Sequence, residues 1–266
     1  MVVAFTSLED FLRNRSAELL DHISRTVVQF STLPKSLQSS ATIGAFRSTI
    51  LQASLASKVG GDPVALVQKV AEAVASTGTG ALQLSHYTFG YSGSNVTADE
   101  VSSIMGALHI ADPWGEMSDL AARCGFGGFP LRQAYETLQR NRNNAAHDVR
   151  ASIQPSDLTS FSNDALAIAM SFDLLASRAA RLLNEGDVNF LSGKTKLQAS
   201  IGLRFINLTG GKFSEKKEGS GRAVKVSDNI DVAWKLAISR AVSSREAVVR
   251  RNAMGVPVDW RSTDVQ

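Results

Sequence analysis

Arg140-Asn141-Arg142-Asn143-Asn144-Ala145-Ala146-His147-Asp148 is the stretch on which the reading of this chain turns. Apolar spacing from Leu131 through Leu138 predicts a helix that carries this run at its far end. On such a helix Asn143 and His147 are four residues apart and share a face. Arg140, seven residues before His147, falls almost on the same face. Arginine keeps its charge and offers a planar fork of donors to phosphate oxygens. Histidine takes or gives a proton near neutral pH. Arginine, carboxamide and imidazole within two turns are the groups needed to hold a phosphodiester and move protons at the 2′-hydroxyl of RNA. Ala145 and Ala146 leave room for another backbone to approach beside them.

Arginine and histidine meet at such a gap easily by chance in a chain with 18 arginines and 4 histidines. Arg15 and His22 have a comparable gap, but Ser16 follows that arginine. Requiring Asn, Asp or His directly after the arginine cuts accidental matches to about one in ten. Arg142-Asn143-x-x-x-His147 meets the requirement, and so does Arg140-Asn141 at a longer gap. The passage from Arg142 to Asp148 resembles the HEPN superfamily (higher eukaryotes and prokaryotes nucleotide-binding domains). Within it the chain looks most like the RiboL-PSP-HEPN branch of bacterial toxin and phage-defence proteins. The resemblance covers residues 1–185 as a helical pattern, and the short motif is its specific part.

The resemblance implies a helical bundle, a homodimer whose two motifs face each other across a cleft, and metal-independent endonuclease cleavage of RNA. Residue by residue it makes Arg142, Asn143 and His147 the catalytic set, with Arg140, Asn141 and Asn144 as candidate substrate-binding residues. Arg142 is preferred because its gap to the histidine is the commoner one in that family; Arg140 keeps the longer register open. No metal and no cofactor are implied. An antitoxin or defence-system partner protein belongs to the same setting. The alternative is a catalytically silent HEPN-like module that binds RNA or a partner.

A chain of 266 residues can bury a sizeable core, as one large domain or two small ones. Its single cysteine, Cys124, excludes an internal disulfide, fits a reducing compartment and reads as a small buried hydrophobe. Met1-Val2-Val3-Ala4-Phe5 meets Glu9 and Asp10 before any long apolar run, so no signal peptide is expected. Residues 73–98 lack Lys, Arg, Asp and Glu, yet their Gly, Ser and Thr interrupt any membrane-length apolar span. The expectation is a cytoplasmic protein with no membrane contact. Residues 191–266 hold 14 Lys and Arg against 7 Asp and Glu, while the other residues hold 14 against 18. RNA is therefore expected to meet the C-terminal part by long-range attraction, and a solvated basic face is the plainer reading.

The fold class expected is mainly α: a HEPN-like helical bundle over 1–188, and a smaller basic α+β appendage over 189–266. A helical pattern runs from Ser7 to Phe30, a second near Ala41–Lys58, and a third after Pro63 with Val64, Leu66, Val67, Val70 and Val74 as apolar positions. Ser76–Asn95 reads as a long loop in which Tyr87, Phe89 and Tyr91 alternate as in an extended segment. Thr97-Ala98-Asp99-Glu100 is a capping box. Further helices are expected from Pro113, from Leu131, and from Pro155 to Asn184. After Gly186, Lys196–Leu208 alternates partly as a strand, Glu215–Gly221 reads as a polar turn and Arg222–Val226 as a short strand. Asp231–Arg251 reads as one amphipathic helix, followed by an extended Val256–Trp260.

The remaining chemistry is sparse. His22, His86 and His109 have no metal-ligand spacing. Ser192-Gly193-Lys194-Thr195 mimics half a P-loop, but Val188 stands where the upstream glycine belongs. The bland reading of the Arg/Asn/His run is a solvated helix end, with its cations near the terminal carbonyls.

Overall fold

The computed structural model describes residues 2–89, 96–147 and 155–265, with the backbone alone for His147 and 155–159. Its helices in chain order are α1 (Val2–Ile23), α2 (Lys35–Ser39), α3 (Ala45–Lys58), α4 (Pro63–Ser76), α5 (Ala98–Ala107), α6 (Pro113–Cys124), α7 (Leu131–His147), α8 (Pro155–Glu185), α9 (Val188–Leu191) and α10 (Leu197–Ser200). The strands β1 (Gly202–Thr209), β2 (Lys212–Lys217) and β3 (Lys225–Ser227) follow. The chain then forms α11 (Ile230–Ser244), β4 (Glu246–Arg251) and β5 (Pro257–Arg261). The protein is mainly α with one five-stranded sheet at its C-terminal end. Among the described residues no helix is long and apolar enough to cross a membrane.

Two compact units share the chain. One takes Met1–Val2, Trp114–Arg178 and Lys196–Gln266; the other takes Val3–Pro113 and Ala179–Thr195. In the second, α1 buries Phe5, Leu8, Leu12, Leu19, Leu20 and Ile23, the three- and four-residue spacing of a helix face. The helix stops at Ile23 rather than near Phe30. Ser24 Oγ turns back onto Leu20 O at 2.8 Å, Thr26 Oγ1 donates to Asn184 O at 3.0 Å, and Val27 is exposed. The β-branched Thr26-Val27-Val28 run gives little helical propensity to oppose that ending. Asp62 caps α4 by accepting from Val64 N and Ala65 N. Of the apolar positions expected on α4, Val70 is buried, while Val64 and Val67 are exposed. Tyr87 and Phe89 do not alternate in an extended segment: His86–Thr88 is a 3₁₀ turn whose Ser85 cap accepts from Tyr87 N, and Phe89 is buried. Tyr91 lies outside the described residues. The Thr97 box forms in full, with Glu100 N donating to Thr97 Oγ1 and Thr97 N to Glu100 Oε2.

In the other unit the sheet order is β3-β2-β1-β4-β5. β1 and β4 are parallel, with Arg204 beside Val248, and the remaining pairs are antiparallel. A parallel pair needs a crossover, and α11 supplies it. Ala233, Ala237 and Ala241, four residues apart, let that helix lie close over Ile206 and Val248. On the opposite face Arg251 stacks its guanidinium 3.5 Å from the Phe205 ring centroid and donates to Cys124 O of α6. Trp260 Nε1 donates to Asp173 of α8 at 2.7 Å.

Two expectations fail in this region. Asp231–Arg251 is not one helix: α11 ends at Ser244, Arg245 takes a left-handed conformation at φ 55°, and Glu246–Arg251 is a strand of the sheet. The turn expected over Glu215–Gly221 is overrun by β2. Glu215 is a buried strand residue held by Arg204 and Arg240, a role its polar neighbours do not announce. Residues 197–200 form a helical turn before β1, and the short strand expected over Arg222–Val226 is β3.

Candidate functional site

α7 is built on an inward stripe of Leu131, Tyr135 and Leu138, all buried. Tyr135 meets Trp114 of α6 with ring centroids 5.7 Å apart. Arg142, four residues beyond Leu138, continues that stripe rather than the outer face. Its side chain is half-buried and Nη1 donates to Oδ1 of the neighbouring Asn143 at 3.0 Å. Its Nε is sealed from solvent and has no hydrogen-bond partner among the described residues. Arg140 lies on the exposed side, Asn141 and Asn143 are half-buried, and Asn144 is exposed. Ala145 is half-buried and Ala146 exposed.

His147 is the last residue of α7; its side chain and Asp148 lie outside the described residues. At about 100° per residue, position 147 leaves the helix axis about 40° from Asn143 and about 20° from Arg140, but about 140° from Arg142. The helix thus brings Arg140, Asn143 and position 147 to one side. Arg142 reaches that side only by the length of its chain and its bond to Asn143. The last three turns of α7 contain Arg140 and Arg142 and no acid. Arg132 is neutralised by Glu136 at 2.9 Å, and neither of the two later arginines has a carboxylate partner among the described residues.

Several other titratable groups have structural surroundings of their own, though His109 Nε2 is buried with no hydrogen-bond partner among the described residues. His22 meets Asn184 at 3.2 Å, and burial, helped by Arg25 and Arg15, holds its imidazole below the ordinary 6.5. His86 faces Asp21 at 3.0 Å. His109 sits at φ 69° with its ring edge-on to Phe190, centroids 5.6 Å apart. Burial pushes the Cys124 thiol up to about 12. Glu215 accepts from Arg204 and Arg240, and Arg204 also pairs with Glu246. Arg178 binds Asp264 at 2.9 Å together with two backbone carbonyls. Each of these carboxylates has a structural occupation. Among the described residues no group of three His, Cys, Asp or Glu is placed to hold a metal ion.

Sequence reading did not anticipate a cavity of about 810 Å³ in the unit that contains α1 and α4. Its wall combines Arg25, Lys69, His86 and Tyr87 with the apolar Val70 and Leu84. These residues come from three separate segments, so no local pattern marks them. Comparison with family models, with curated proteins and with solved structures returns no match for this chain.

Proposed function

We propose that the protein is a HEPN-type endoribonuclease, acting as a homodimer and cleaving RNA by attack of its own 2′-hydroxyl without a metal ion. The observation that supports this reading most is the end of α7. It holds an arginine with no carboxylate partner among the described residues, a carboxamide on that arginine's fork, and a histidine four residues beyond the carboxamide. An arginine without a carboxylate partner keeps a charge that a phosphate can neutralise, through its terminal nitrogens rather than the sealed Nε.

In this reading the His147 imidazole takes the proton of the 2′-hydroxyl. O2′ bonds to phosphorus as the bond from phosphorus to O5′ breaks, giving a 2′,3′-cyclic phosphate and a 5′-hydroxyl. Arg142 binds the non-bridging oxygens and stabilises the charge that grows there. Asn143 orients the guanidinium it already touches. Arg140, Asn141 and Asn144 contact the substrate around it. O5′ needs a proton of its own, and one histidine serves one end of the reaction. The second copy of the motif in a homodimer supplies the other. A toxin or phage-defence role, with an antitoxin or defence-system partner restraining the nuclease, completes the proposal.

The test is cleavage of a labelled RNA by the purified protein in EDTA, beside the same RNA with one 2′-deoxy residue at the cut. His147→Ala and Arg142→Ala each lower the rate by about 10²–10⁴, Arg140→Ala lowers it less, and the deoxy site stays whole. Cleavage of the deoxy site, or cleavage indifferent to His147, overturns the proposal. One observation favours the second reading, a silent HEPN-like module that binds RNA or a partner: Arg142 continues the buried stripe of α7, where it can serve packing. RNA binding with no cleavage, insensitive to His147→Ala, selects that reading.

A further inference from the structure

α3 is packed inside out. Its buried positions are Ala45, Ser48 and Thr49. The two hydroxyls are satisfied by their own helix, Ser48 Oγ on Gly44 O at 3.0 Å and Thr49 Oγ1 on Ala45 O at 2.7 Å. Three large apolar residues point the other way: Phe46 is 42% exposed, Ile50 74%, and Ile43, in the π turn Ser40–Gly44 that leads into the helix, 56%, while Leu51 is half-buried. Spaced by three and four residues, they form one stripe opposite the buried one. Past Ile50 the same side of the helix carries the small side chains of Ala53, Ser54 and Ser57. Leu55 and Val59 on the far end of this hairpin arm, and Val64 and Val67 on α4, are exposed as well. An amphipathic helix normally turns such a stripe inward, and contiguous exposed apolar surface marks an interaction site.

Both charged residues of α3, Arg47 and Lys58, are cations, and the acid that follows the helix, Asp62, is engaged in capping α4. From His22 to Gly61 the chain contains no Asp or Glu and carries Arg25, Lys35, Arg47 and Lys58. None of the four has a carboxylate partner among the described residues. Arg47 and Lys58, eleven residues apart, are exposed and border the stripe on one side.

The geometry points to α3 as the docking face for an acidic amphipathic helix of a partner protein. The partner's apolar ridge lies on Ile43, Phe46 and Ile50, passes over the small side chains of Ala53, Ser54 and Ser57, and its acidic border meets Arg47 and Lys58. A second copy of this chain fits worse, because this surface would then oppose cations with cations. A bilayer fits worse too, because the helix, with Arg47 and Lys58 as its only charges, lacks the Lys- and Arg-rich polar face of an interfacial helix. The inference is independent of the nuclease reading.

The test uses the full chain and a synthetic helical peptide of about 20 residues, with leucine every third or fourth position and glutamate at most others, beside a lysine counterpart. Fluorescence anisotropy shows saturable binding of the acidic peptide, weakened about tenfold or more by Ile50→Glu and by Arg47→Glu, with the lysine peptide weaker by as much. Thermal melts confirm that both variants stay folded, as the exposure of these positions leads one to expect. Absence of saturable binding up to about 1 mM, or equal affinity for the two peptides, overturns the proposal. So does sedimentation of the wild type as a dimer that Ile50→Glu dissociates, which gives the face to a second copy. Capture by phosphatidylcholine–phosphatidylserine vesicles that is lost in Ile50→Glu, with no peptide binding, gives it to a membrane and overturns the proposal as well.

Discussion

Around Arg204 of β1 four elements meet through charge. This side chain is 2% exposed and divides its donors between Glu215 of β2 and Glu246 of β4, while Arg240 of α11 takes the other oxygen of Glu215. Removing one partner of a buried ion pair leaves the other unpaired in a medium that solvates it poorly. Arg204→Met is therefore expected to cost about 3–5 kcal/mol, read from urea midpoints. A loss below about 1 kcal/mol would mean that Arg240, together with Lys217 on Glu246 at 3.1 Å, carries the carboxylates alone. Burial first, then Arg25 and Arg15, lower the pKa of His22 in the folded protein below the 6.5 of the free side chain. In the window below 6.5 the unfolded chain binds the proton more readily, so folding stability is complete above that pH and declines as pH falls through it. The melting temperature should drop between pH 7.5 and 5.5, and His22→Gln should remove part of that drop; identical slopes would assign it to other groups.

The boundary between α11 and β4 illustrates what a sequence conceals at the scale of elements. Helices commonly end on a left-handed glycine, and here the left-handed residue is Arg245, so no stop signal interrupts the apolar pattern. β2 was hidden for another reason: Lys212–Lys217 is mostly charged, and its membership of the sheet rests on Glu215 finding two arginines from distant segments. α5 was legible because a capping box is a local exchange of hydrogen bonds. Of the candidate site, the helix that carries it was legible; the inward direction of Arg142 follows from the spacing Leu131, Tyr135, Leu138, Arg142 but was not drawn from it, because the polar motif masks the stripe that the arginine continues. α3 marks the limit of periodicity, which shows that a helix has an apolar face and leaves open what covers it. The basic C-terminal region yields its prediction here. Arg204, Arg240, Arg250 and Lys217 are occupied by carboxylates, whereas Lys216, Arg222 and Lys225, on or beside β2 and β3, have none among the described residues. If RNA is drawn to this edge, changing those three to glutamate lowers the slope of log affinity against log salt by about two. An unchanged slope places the RNA elsewhere. Deleting the whole region is the poorer experiment, since Phe205, Arg251 and Trp260 hold the sheet to α6 and α8.

For the molecule as a whole, each compact unit is closed by a segment far away in the chain. The unit that begins at Val3 needs Ala179–Thr195, where Asn184 O accepts from Thr26 Oγ1 and the Asn184 side-chain nitrogen meets His22 Nε2. The other needs Lys196–Gln266, where Asp264 pairs with Arg178 across 86 residues. Contacts of that sequence separation slow folding, because loops must close before the contacts reward them. The same enclosure governs the one thiol of the protein. Cys124 is fully buried, and its pKa of about 12 leaves almost no thiolate at neutral pH. Ellman's reagent should find no reactive group in the folded protein and one after denaturation in guanidinium; prompt reaction in the native state would show that the packing around α6 opens. With its only thiol silent, the native chain is already a labelling background. A cysteine placed at an exposed position such as 50 or 140 would be the one site to take a spin label or dye. Distances between copies, or to a bound helix or RNA, then become measurable without first removing any native residue.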